Sequence, residues 1–163
     1  MHTVLDAPPP QDLTDDQAQF LAELRAGLDR LRPAHLDEQA SGAALTEDGT
    51  LHVVLAHRTL PDVAVQAWVS AKSVTVGVEP VIESIGGRAG SRDPERRRRA
   101  AVGFTAALIS GFEREITLRD GQPVRVVLRV PGSDGRPHRF TGRLRGPRFG
   151  PKEVVREQIT FLR

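Results

Sequence analysis

Cysteine is absent from the 163 residues, so this chain can build no disulfide framework, thiolate metal site or cysteine nucleophile. Aromatic residues make up 4% of it, with no Tyr and one Trp, which leaves few rings on which nucleic-acid bases could stack. No apolar run reaches bilayer-spanning length, and Met1 to Pro10 lacks a basic stretch followed by an apolar one. The expectation is a cytoplasmic protein with no membrane partner.

Catalytic signatures are also missing. Neither Ser70 nor Ser110 stands in a GxSxG elbow, no HExxH occurs, and Gly86, Gly87 and Gly90 follow neither the GxGxxG nor the GK[ST] order. His52 and His57 lie five apart, so on an extended strand they point to opposite faces and cannot form a metal site by themselves. No metal or cofactor is expected. An enzyme would have to assemble its site from distant residues, with His52, His57, Asp62, Glu79 and Glu83 as the titratable side chains to search.

What the chain does have is charge, unevenly placed. Residues 1–80 carry 5 basic and 12 acidic side chains, and residues 81–163 carry 18 and 9. A localised field steers partners even where the net charge is only +2. Of the 23 basic residues, 21 are Arg, which fits either the codon usage of a GC-rich genome or a need for the bidentate guanidinium fork.

A hydrophobic content of 39% and this length suit one domain with its own core. Residues 1–12, with Pro8, Pro9 and Pro10, read as a mobile leader and 13–163 as a single α+β domain. Thr14, three residues before Gln17, is a capping box, and the spacing of Leu21, Leu24, Leu28 and Leu31 predicts a helix from Asp15 to Leu31, stopped by Pro33. Asp93 as N-cap, Pro94 at the first helical position and Gly111 at the far end predict a second, after a flexible connector at 86–93.

Period-two runs at Leu51–His57, Val63–Val69 and Val74–Val78, then Glu113–Arg119, Val124–Val130 and His138–Arg145, predict strands. The tail admits a short helix at Val154 and Val155 or a final strand at Ile159–Leu162, and the strand is preferred. The expected architecture is two helices on a mainly antiparallel sheet, in the order α-βββ-α-βββ.

Strand alternation places Val124, Val126, Leu128 and Val130 on one side and Arg125, Val127 and Arg129 on the other. The next strand likewise sets Arg139, Arg143 and Arg145 opposite His138 and Phe140. Paired as a hairpin, these strands present Arg125, Arg129, Arg139, Arg143 and Arg145 on one wet face, with Arg119 at its margin. Arg96 and Arg99, from the run at 96–99, and the single Trp68 are secondary binding candidates. An arginine-lined sheet grips carboxylates or phosphates. The first expectation is therefore a non-catalytic binding, neutralising or adaptor protein for an acidic protein partner or a second copy of itself. The alternative is nucleic-acid binding. The bland reading is a solvated sheet face, and for the 96–99 run a solvated helix end in which Glu95 pairs with Arg99.

Overall fold

The computed structural model describes residues 10–85, 93–132 and 135–162. Most of the expected leader, and residues 86–92 of the expected connector, lie outside that range.

Helix α1 spans Asp15–Leu31, as its spacing predicts. The Gln17 amide donates to Thr14 Oγ1 at 3.4 Å and the Thr14 amide to Gln17 Oε1 at 3.0 Å, so two of the helix's orphan donors satisfy each other's residues. Gln17 Nε2 then donates to the carbonyls of Gly49 and Val69 at 2.9 Å each. The cap thus also fastens the helix to the strands beside it. Phe20, Leu21, Leu24 and Leu28 are buried, each contributing roughly 1.5–3 kcal/mol for apolar area removed from water.

Five strands follow: β1 Gly42–Leu45, β2 Leu51–Ala56, β3 Ala64–Val69, β4 Val74–Val78 and β5 Val81–Ile85. They form an antiparallel meander in sequence order. Two of them go beyond the period-two runs. Gly42, Ala43 and Ala44 have little intrinsic strand preference, and pairing with β2 from Gly42↔Val54 to Leu45↔Leu51 makes them extended. Strand β5 follows directly on the turn at Glu79 and Pro80 and pairs back from Val81↔Val78.

Helix α2 spans Pro94–Ser110, with the Asp93 side chain accepting from the Glu95 amide at 3.1 Å. Gly111 closes it at φ 146°, a conformation that L residues rarely adopt. The run Arg96 to Arg99 divides by role. Arg98 turns inward across the helix pair, its Nε 2.9 Å from Glu23 and its Nη1 3.2 Å from Asp16 of α1. Arg99 pairs with Glu95 one turn away, as its spacing predicts.

The remaining strands, β6 Phe112–Arg119, β7 Gln122–Pro131, β8 Pro137–Arg143 and β9 Lys152–Ile159, form a second antiparallel sheet in the order β8-β7-β6-β9. Asp120 at φ 50° and Gly121 at φ 73° turn β6 into β7, as the Asp-Gly signal predicts. The α+β class and antiparallel pairing follow the expectation, with two sheets in place of one. α2 intervenes in the chain between β5 and β6, and its Phe104 meets Phe140 of β8 edge-on, with ring centroids 5.0 Å apart. The sheets converge where Gly142 faces Pro80: a Cβ there would stand 2.7 Å from the Pro80 carbonyl oxygen. One hydrophobic cluster joins both helices and both sheets. The last strand begins at Lys152 and ends at Ile159, so the tail beyond it is not a strand and Phe161 instead plugs the core.

Candidate binding face

The second sheet has an inner face, with Phe112, Val126, Leu128, Val130 and Ile159 buried in the core, and an outer face made by the opposite parity. Across the outer face from β8 to β9, one row is Arg143, Arg125, Thr117 and Val154. The next is Thr141, Val127, Glu115 and Arg156, and the third Arg139, Arg129, Glu113 and Gln158. Beyond the first row, Arg119 is paired with Lys152. At the centre Val127, Glu115 and Thr117 have little exposure, ringed by long side chains whose stems cover apolar surface.

The five arginines expected on one face therefore have different placements. Arg125 and Arg143 are direct cross-strand partners, as are Arg129 and Arg139. Arg145 lies past the end of β8, in the connection to β9. Arg129 is held by two carboxylates, Glu113 and Glu115, its Nη2 lying 3.0 Å from Glu115 Oε2. Arg156 Nε donates to that same oxygen at 3.0 Å. Arg129, Arg156, Glu113 and Glu115 thus form one charge network on this face. Among the described residues, Arg119, Arg125, Arg139, Arg143, Arg145, Arg148 and Lys152 have no ion pair.

Hydrogen bonds from Arg129 and Arg156 hold the Glu115 carboxyl below its ordinary value of 4.5, and Glu115 in turn raises Arg129. A carboxyl depressed in the folded state contributes stability above its unfolded pKa, and this is lost as pH falls through the folded value. Urea midpoints measured downwards from pH 5 should therefore fall more steeply for the parent than for Glu115→Gln, while at pH 7 the parent is the more stable. Parallel profiles would show that the network adds nothing to folding.

The secondary candidates lie elsewhere. Arg96 and Arg99 are on the first turns of α2, near α1 and the β3–β4 turn, where Arg97 donates to the Lys72 carbonyl. Trp68 stands on the outer face of the first sheet, stacked on His52 with centroids 4.9 Å apart and planes 8° apart. Beside it lies a shallow depression lined by Thr46, Glu47, Asp48, Thr50 and Trp68. Four of the dispersed titratable residues have separate partners or settings. His52 bonds Gln66, buried His57 bonds the Thr160 carbonyl, Asp62 pairs with Arg114, and Glu79 is in the β4–β5 turn. No group of three or more His, Asp or Glu able to hold a metal occurs among the described residues, and no helix among them is long and apolar enough to cross a membrane.

Two further residues lie outside the set expected to form a site. Arg114 shares the inner parity with Phe112 and Ile116 and is buried, bound to Asp62 and Glu157; alternation alone places it inside. Phe149, in the connection from β8 to β9, is the most exposed large hydrophobic side chain among the described residues, at 84%. Its signal was an aromatic residue isolated among Gly146, Pro147, Gly150 and Pro151, where no strand period continues. Compared with protein-family models, curated proteins and solved structures, the chain matches none of them.

Proposed function

We propose that the chain is a non-catalytic binding domain whose second sheet grips the phosphates of a nucleic acid at the end carrying Arg119, Arg125, Arg143, Arg145, Arg148 and Lys152. One observation carries this reading. Arg125 and Arg143 are held directly opposite each other with no counter-ion among the described residues, whereas Arg129 and Arg156 on the same face are neutralised by Glu113 and Glu115. Like charges directly opposite destabilise a sheet, so a polyanion that supplies the missing charge relieves a standing repulsion. Closely spaced cations suit a ligand with one charge per repeat, and the exposed Phe149 on the segment that crosses this end of the sheet favours a nucleic acid over an acidic protein.

The test is fluorescence anisotropy with labelled oligonucleotides and a polyglutamate peptide over a salt series. The oligonucleotide should bind with a steep log–log salt dependence. The Arg125→Ala, Arg143→Ala double variant should lower the slope by about 1.4, at about 0.7 per cation for a single strand. Its folded stability should hold or rise, by roughly 0.2–1 kcal/mol. Absence of oligonucleotide binding at low salt ends this reading. Binding of polyglutamate alone transfers the face to an acidic protein partner.

A further inference from the structure

We infer that the nucleic acid taken by this end of the sheet is single-stranded, with a base stacked on Phe149; this rests on the reading above and narrows its ligand. The segment 144–151 leaves β8 at one edge of the sheet and enters β9 at the other, so it passes over the end where the β6–β7 hairpin turns. It is fastened there at both ends. The Leu144 amide donates to the Val124 carbonyl, and the Asp120 amide to the Pro151 carbonyl, each at 3.0 Å. Between these bonds, a Cβ on Gly146 would stand 2.8 Å from Val124 Cγ1, and one on Gly150 would stand 3.2 Å from Asp120 Cβ. The backbone lies that close to the hairpin, and Pro147 and Pro151 fix their own φ angles.

Phe149 is therefore displayed from a clamped segment while its ring stays in water, forgoing the roughly 1.5–3 kcal/mol that burial of such a side chain contributes. Arg145 and Arg148 are on the same segment and Lys152 at its exit, and Arg143, Arg125 and Arg119 lie on the strands at that end of the sheet. Cations that follow a backbone, with an aromatic ring among them, are the arrangement single strands bind. A base offers its π-face to a side chain only when unstacked, and within a duplex both faces are already covered. Every base has such a face, so stacking here discriminates strandedness more than sequence.

The experiment compares labelled oligo(dT), oligo(U) and a blunt-ended DNA duplex against the parent, Phe149→Ala and Phe149→Trp. Both single strands should bind more tightly than the duplex. Phe149→Ala should weaken them by about tenfold or more with the salt slope unchanged, leave duplex binding alone, and be rescued by Phe149→Trp. Oligo(dT) and oligo(U) together tell whether the strand is DNA or RNA. Equal affinity for duplex and single strands, or a Phe149→Ala effect within twofold, overturns the inference and leaves the phosphate-binding reading standing. Failure of every oligonucleotide to bind overturns both. Phe149 is on the surface, so an unchanged thermal transition will verify that the variants are folded.

Discussion

The Asp62→Ala, Glu157→Ala double variant should lose about 3–5 kcal/mol of stability, whereas Arg114→Met should lose about 1.5 kcal/mol or less. The asymmetry follows from where the charges sit. The Arg114 side chain is 7% exposed, while Asp62 and Glu157 are 64% and 39% exposed. Its Nη1 lies 2.9 Å from Asp62 Oδ2, and its Nε and Nη2 lie 2.8 and 2.6 Å from Glu157 Oε2. Removing the guanidinium returns two carboxylates to water that already reaches them, and Met refills most of the apolar stem. Removing both carboxylates strands a cation on the core side of β6, with neither solvent nor partner. Equilibrium urea unfolding separates these outcomes. Equal losses in the two variants would mean that leaving the buried guanidinium without its carboxylates carries no extra penalty.

Phe161→Ala should cost about 3–5 kcal/mol. Phe161 is fully buried although it follows the last strand. Its ring meets His57 edge-on at 4.8 Å, its amide donates to the Ile109 carbonyl at 3.1 Å, and its carbonyl accepts from the His35 amide at 2.9 Å. His57 Nε2 lies 3.1 Å from the neighbouring Thr160 carbonyl. The tail thus closes the core between the end of α2 and the end of β2, and truncating the ring leaves a cavity at that junction. Phe161→Leu should recover much of that loss because it refills most of the volume. A deficit below 1 kcal/mol for the alanine variant, read from the same urea curves, would remove the tail from the core.

The helices were legible because their signals are local. The capping box at Thr14 and Gln17, the Asp93–Pro94 start and Gly111 at the close each act within one turn of the chain. The parity of Arg125, Arg129, Arg139 and Arg143 was legible for the same reason. Pairing between strands distant in sequence was not. Strand β9 reads Lys-Glu-Val-Val-Arg-Glu-Gln-Ile, a charged edge strand without a clean apolar alternation. Only its register with β6 brings Arg156 to Glu115 and Glu157 to Arg114. Arg129 is neutralised by Glu113 and Glu115 of its own hairpin partner β6, and what the long-range pairing adds is a second cation, Arg156, on Glu115. Phe149 was illegible because no strand periodicity covers it: it stands on the connection between β8 and β9.

The stack of Trp68 on His52 has an optical consequence. It supplies the chain's single tryptophan, on β3 of the first sheet, whereas Phe149 and the unpaired cations belong to the second. Intrinsic emission from the parent therefore reports on the integrity of the β2–β3 region, with no indole placed at the proposed ligand site. One unlabelled sample can follow unfolding by its own fluorescence while a dye on the oligonucleotide follows occupancy.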